Sequence, residues 1–271
     1  MVVTVWSAVR RADGARLSYL ACGAGVPVLA VHGIGSTSRS FAPMAAHLSS
    51  THRVLALDLH GYGDSDDTTS DTGWEAFAED LSVVLGPALD DAGDGRVHLV
   101  AASAGTPTAL TFCHAHPERV RSLTLIGPTL GDAADQEVAQ RRLADRRQAL
   151  TEVRAGAAGR AARMAGPDAD DAAMALLRSE HARIRPAGYG VVATLLAQTD
   201  AAPQVAALAA PLQVLVGQHD TVTGPPVAEE VRGLVPNARV VTVPRVGHSP
   251  HVERPAETAE LVRAFTDARG R

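Results

Sequence analysis

A chain of 271 residues can bury a large core, as one domain of the bigger kind or as a domain with an insertion. Hydrophobic residues make up 46% and charged residues 20%, ordinary for a soluble globular protein and unlike a disordered one. With 25 basic and 30 acidic residues the net charge is −5, so nothing global points to nucleic acid or an acidic membrane as a partner.

All 25 basic residues are arginine, which beside the abundant alanine reads as genomic base composition rather than chemistry. The two cysteines, Cys22 and Cys113, point to neither a disulfide framework nor a metal site, and buried reduced thiols are expected. Residues 1–6 lack a basic region followed by a long apolar one, so no signal peptide is expected. The apolar runs are too short to span a bilayer. The expectation is a cytoplasmic protein with no membrane partner.

Residues 2–9 and 17–21 read as strands joined by a turn at Ala12-Asp13-Gly14. Gly23-Ala24-Gly25 is too incomplete for a phosphate-binding loop. A third apolar run, 26–31, ends in His32-Gly33-Ile34-Gly35-Ser36. A helix is predicted over 41–48. A strand over 53–57 follows and closes in Asp58-Leu59-His60-Gly61-Tyr62-Gly63-Asp64-Ser65. Residues 74–89 place Trp74, Phe77, Leu81, Val84 and Leu85 at helical spacing. Gly86-Pro87 is expected to end or kink that helix.

Residues 97–100 form a short apolar run that ends in small residues around Ser103, with a helix-like segment directly after. Another buried-type strand, 120–126, closes at Gly127-Pro128-Thr129. From 130 to 202 the chain is rich in alanine and arginine, helical in pattern and without a convincing strand. Strand character returns at 212–216, followed by Gly217-Gln218-His219-Asp220. A helix at 227–234, a strand at 239–243, the loop Val246-Gly247-His248 and a helix from Pro255 to about residue 268 complete the chain. Strands alternating with helices predict a mainly parallel sheet covered on both faces, with an antiparallel hairpin at its edge. Chemistry then belongs beyond the carboxyl ends of the strands.

Strand, sharp turn and helix around Ala101-x-Ser103-x-Gly105 are the context of a nucleophile elbow, whose usual pattern is G-x-S-x-G. Small flanking residues let a strained turn lift the serine hydroxyl above the positive end of a helix. A serine that merely caps the helix is the plain alternative. Serine is a poor nucleophile alone and needs a base and a group that orients the base. Asp220 and His248 follow later strands in the order serine, acid, histidine. Asp220 also suits a simple turn, and His248 is one of eleven histidines. His219 should point away from the adjacent carboxylate, and His251 falls three residues late.

These pieces, in this order, resemble the α/β-hydrolase fold family of capped serine hydrolases over essentially the full length. The resemblance implies an eight-stranded, mainly parallel sheet with helices on both faces. Residues 1–129 and 203–271 would form the core and 130–202 an inserted helical cap. It further implies Ser103 as nucleophile, His248 as general acid/base and Asp220 as its orienting partner. The oxyanion hole would use the backbone N–H groups of Ile34 and Ala104. Asp58 to Ser65 would support the site structurally. Thr106 stands where many relatives have a second glycine, which bears on helix packing behind the elbow. No cofactor or metal is implied.

Arg185-Pro186-Ala187-Gly188-Tyr189 and the tail Pro250-His251-Val252-Glu253-Arg254-Pro255 resemble the 3-oxoadipate enol-lactonase group. The reading is a hydrolase of a small carboxylic ester or lactone, acting as monomer or homodimer. The same triad serves carbon–carbon cleavage of a β-diketone, N-terminal proline cleavage or a non-hydrolytic cyclase. Proline-specific relatives usually carry acidic cap residues, and this cap is rich in arginine. Its Arg141, Arg142, Arg146 and Arg147, with Glu137 and Asp145, read as a solvated helix face with i,i+4 pairs such as Glu137–Arg141. The sharper alternative turns Arg183 or Arg185, near Tyr189, inward to hold the free carboxylate of an acidic lactone.

Overall fold

The computed structural model describes residues 4–67, 72–90, 94–153 and 155–269. Its strands form one eight-stranded sheet in the order β1-β2-β4-β3-β5-β6-β7-β8. An antiparallel hairpin of β1 (Val5–Arg10) and β2 (Arg16–Cys22) sits at the edge and pairs antiparallel to β4 (Arg53–Leu57). The remaining strands, β3 (Pro27–Val31), β5 (Val97–Ala102), β6 (Val120–Ile126), β7 (Leu212–Gly217) and β8 (Arg239–Val243), run parallel. β3, β5 and β7 are buried at every position. That is why they read as continuous apolar runs rather than alternating ones.

Successive strand residues feed two cores. Leu29 and Val31 face one side of the sheet with Phe77, Leu81 and Leu110; Val28 and Ala30 face the other with Phe41, Met44 and Val262. The first side is covered by α2 (Trp74–Asp90) packed on α3 (Gly105–Ala115), the second by α1 (Ala42–Leu48) packed on α11 (Pro255–Asp267). Between β6 and β7 come α4 (Gln136–Thr151), α5 (Ala157–Met164), α6 (Asp171–Ala182) and α7 (Pro186–Gln198), followed by α8 (Ala202–Ala206). α4 packs on α7 and α5 on α6. Asp135 and Asp170 cap α4 and α6 through N–H bonds to their carboxylates. The excursion leaves and returns at one point: an antiparallel bridge joins Gly131 to Asp200, and Ala201 N–H donates to the Leu130 carbonyl at 2.8 Å. α9 (Gly224–Leu234) and the short α10 (Pro250–Glu253) follow β7 and β8.

Several boundaries differ from the sequence expectation. β1 begins at Val5, and residues 2–3 of the predicted strand lie outside the described residues. α2 is not ended by Gly86-Pro87 but runs on to Asp90. A proline costs a helix the bond to the carbonyl four residues back, here that of Val83, within a helix already anchored by Phe77, Leu81 and Leu85. Glu137 and Arg141 are both exposed, whereas Arg142 and Arg146 converge on the buried Asp132 at 2.7 and 2.5 Å. Both cysteines are free and buried, and burial pushes the Cys113 thiol up to about 12.

Candidate active site

Ser103 follows β5 directly and has φ 49°, in the left-handed region that residues with side chains avoid. Its N–H donates to the Ile126 carbonyl of β6 and its carbonyl accepts from Thr106 N–H, each at 2.9 Å. These bonds, with small Ala102, Ala104 and Gly105 on either side, hold a conformation that costs about 1–3 kcal/mol. The loop after β3 presses on this turn: a Cβ on Gly33 would stand 3.0 Å from Ser103 Cβ. Ile34 from that loop and Ala104 at the start of α3 line one recess with Ser103. Among the described residues neither amide donates to a protein acceptor.

The loop is fixed by buried polar groups. His32 donates from Nδ1 to the Gly33 carbonyl at 2.9 Å and accepts from Leu59 N–H at its Nε2 at 3.2 Å. Burial lowers its pKa, in keeping with a neutral ring. The fully buried Asp58 accepts from Ser38 N–H at 2.8 Å and Asp64 N–H at 3.0 Å. The Asp58–Ser65 turn is thus a brace beneath the site. Behind the elbow, Thr106 is buried with its hydroxyl unpartnered.

Asp220 lies past β7 and His248 past β8, and both are buried. His248 Nδ1–H donates to Asp220 Oδ2 at 2.9 Å. Asp220 Oδ1 accepts from Val222 N–H at 2.8 Å and Thr223 N–H at 3.2 Å. The Thr223 hydroxyl lies 3.1 Å from Asp220 Oδ2 and 3.2 Å from the Gly127 carbonyl, tying acid and β6 turn together. Burial alone would raise the Asp220 pKa, but the hydrogen bond and charge of His248, with the Val222 and Thr223 amides, hold it down to about 2. Glu253 clasps the histidine loop from α10: its carboxylate accepts from Gly247, Ser249 and Gly166 N–H groups. His219 is exposed. His251 is buried, stacked on Phe41 at 4.6 Å and pushed by burial down to about 3. Asp220 takes His248 rather than either neighbour.

Ser103 and His248 border one cavity of about 280 Å³, whose walls include Ile34, Met164, Leu177 and Tyr189. A second recess shares Ser103, Ile34 and Tyr189 and runs along α4 to Arg142 and Arg146. Tyr189 borders both. Arg183 and Arg185, expected as inward-turned alternatives, border neither: Arg183 is exposed beside Asp64, and Arg185 donates to the Ser65 carbonyl and Asp67. The loop after β4 offers them carboxylates and carbonyls on the outer side of the cavity, so neither turns inward.

The arginines that do border the cavity are Arg160 and Arg163 of α5, joined by Glu180 and His181 of α6. Sequence reasoning missed all four. Glu180 and His181 did carry a signal, since they continue the buried stripe Ala173–Leu177 at helical spacing. Polar residues on an apolar stripe point to partners or to a ligand.

Residues 26–255 match the family description for the alpha/beta hydrolase fold. The chain belongs to that family, and the solved structures it superposes on include esterases and other hydrolases. A thermophilic esterase from Thermogutta terrifontis superposes with a TM-score of 0.81 at 25% identity, covering 99% of this chain and 100% of that one. A hydrolase from Pseudomonas aeruginosa gives 0.80 at 25% identity, covering 96% and 98%. The 2-(acetamidomethylene)succinate hydrolase of Mesorhizobium japonicum is 26% identical over 91% of this chain and 90% of its own. Epoxide hydrolase 3 of Siraitia grosvenorii is 35% identical, but over only 41% of this chain and 35% of that protein. No helix among the described residues is long and apolar enough to cross a membrane.

Proposed function

We propose that the chain is a serine hydrolase that opens a small carboxylic ester or lactone through an acyl-enzyme on Ser103. The observation that carries this reading is the placement of three residues. Ser103 is held at φ 49° on the rim of a cavity that His248 also borders, and Asp220 fixes His248 through Nδ1 at 2.9 Å. With Nδ1–H committed to Asp220, Nε2 is the free base that takes the Ser103 proton as Oγ attacks the carbonyl carbon. The carbonyl oxygen becomes an oxyanion received by the Ile34 and Ala104 N–H groups. His248 then returns the proton to the departing alkoxide, and a water activated by the same nitrogen releases the acid. The helical segment 130–202 serves as the cap that closes the cavity, with Tyr189 in its wall.

The size of the cavity and its apolar lining support a small substrate, and the esterase and hydrolase relatives support an ester or lactone bond. Turnover of p-nitrophenyl acetate and butyrate by wild type and by Ser103→Ala is the test. The variant is expected to fold and to lose about 10⁴-fold or more in kcat. Wild-type turnover in the variant would remove the reading.

A further inference from the structure

Among the described residues, four side chains that border the cavity carry a buried polar atom with no protein partner, Arg160 Nε, Glu180 Oε1, His181 Nδ1 and His251 Nδ1, and two of them, His181 and Glu180, are adjacent on α6. Both side chains border the cavity, and the residues are only 4% and 3% exposed. Buried polar groups are nearly always satisfied, so a pair left open on one helical turn calls for an explanation. The same wall carries the apolar Leu177, Met164, Ile34 and Val252 beside the polar Ser36, Ser40, Arg160 and Arg163.

Glu180 is held rigidly by its other oxygen. Oε2 accepts from Thr37 N–H at 2.6 Å, the Thr37 hydroxyl at 2.8 Å and the Ser36 hydroxyl at 3.2 Å. Oε1 is thereby fixed as an acceptor beside the loop that carries Ile34. The His181 ring lies against the same loop: a Cβ on Gly35 would stand 3.2 Å from His181 Cδ2. Gly33, two residues earlier, touches Ser103, and two residues of chain span at most about 7 Å. Both side chains thus border the cavity of Ser103 from the side of the loop that carries Gly33 to Gly35.

We propose that Glu180 and His181 form a polar subsite that binds a hydroxyl group on the substrate. This deepens the serine-hydrolase reading and rests on it. A hydroxyl is the small group that satisfies both atoms, donating to the carboxylate oxygen and accepting from, or donating to, the imidazole. A carboxylate fits poorly, because it only accepts and would face Glu180. Burial first, then the charges of Arg160, Arg163 and His248, lowers His181 to about 4, which leaves a neutral ring suited to a neutral partner. The substrate class is a hydroxylated short-chain ester or lactone.

The test compares p-nitrophenyl esters of butyrate, 3-hydroxybutyrate, 4-hydroxybutyrate and succinate on wild type, His181→Leu and His181→Gln. Thermal melts check folding, and fluorophosphonate labelling counts competent Ser103. Wild type should favour at least one hydroxy ester over butyrate in kcat/KM by about tenfold or more, as one net hydrogen bond allows. His181→Leu should bring that ratio to near one, and His181→Gln, which keeps a donor and an acceptor, should restore part of it. Equal rates on hydroxylated and plain esters by labelled wild type would overturn the subsite and leave the serine hydrolase standing. A preference for succinate would overturn it in favour of an anion site at Arg160 and Arg163. Absence of both labelling and turnover would overturn the serine-hydrolase reading and the subsite with it.

Discussion

A Cβ placed on Gly127 would lie 3.1 Å from His248 Nδ1, the nitrogen that donates to Asp220. Gly127 has φ 51°, so the turn after β6 needs glycine both for its backbone and for the room it leaves the imidazole. Gly127→Ala is expected to cost on the order of 1–2 kcal/mol of stability from the left-handed backbone alone. Turnover should fall at least about tenfold as the ring is displaced, since small misplacements of a catalytic group are costly. Urea denaturation and kcat on one ester measure the two effects. An unchanged kcat would show that the turn does not set the imidazole.

Glu253 should matter for the same ring from the opposite side. Its carboxylate satisfies buried N–H groups of Gly166, Gly247 and Ser249, and each donor left open costs about 1–3 kcal/mol. Glu253→Ala is therefore expected to destabilise by several kcal/mol and to lower kcat more than it raises KM. Glu253→Gln, able to accept on one oxygen only, should fall between. Chemical denaturation with steady-state kinetics separates these outcomes, and an alanine variant of wild-type stability would contradict the role.

The buried histidines set an acid limit on stability. His251 is pushed down to about 3 and His181 to about 4, in both cases first by burial. The folded chain keeps these rings neutral while the unfolded chain binds protons below about pH 6.5. Their contribution is thus fully present above that pH and is lost as the pH falls toward the folded values. His251→Phe keeps an aromatic partner for Phe41 and removes one such proton. Its stability should decline less steeply between pH 6.5 and 4, by up to about 1.4 kcal/mol per pH unit. Parallel slopes for variant and wild type in urea titrations would contradict the neutral buried ring.

The turn at Ser103 and the loops that carry Asp220 and His248 were legible because each sits where a short apolar run ends in small or polar residues. Strand ends of this kind are local in sequence. The mainly parallel character of the sheet was legible for the same reason, since parallel strands covered on both faces leave apolar runs such as those of β3, β5 and β7. Residues 130–202 were legible as helical but not in detail, because which of their arginines face inward depends on partners far away in sequence. Arg185 finds Asp67 and the Ser65 carbonyl, while Arg142 and Arg146 find Asp132. No periodicity announces those pairings.

Arg185→Ala tests that assignment directly. The side chain is bound to the loop after β4, so its loss should lower the melting temperature by a few degrees, as a change of about 1 kcal/mol does in a chain of this size. The kcat/KM ratio between an acidic lactone and its methyl ester should stay as in wild type. A collapse of that ratio would return Arg185 to the cavity.

The most direct measurement is the location of covalent labelling by a fluorophosphonate. One label per chain on Ser103, mapped by peptide mass spectrometry, is predicted for wild type. Labelling should be lost in Ser103→Ala and strongly slowed in His248→Ala, with His219→Ala labelled as wild type. Stoichiometric labelling elsewhere, or undiminished labelling of Ser103→Ala, would contradict a nucleophile at the end of β5.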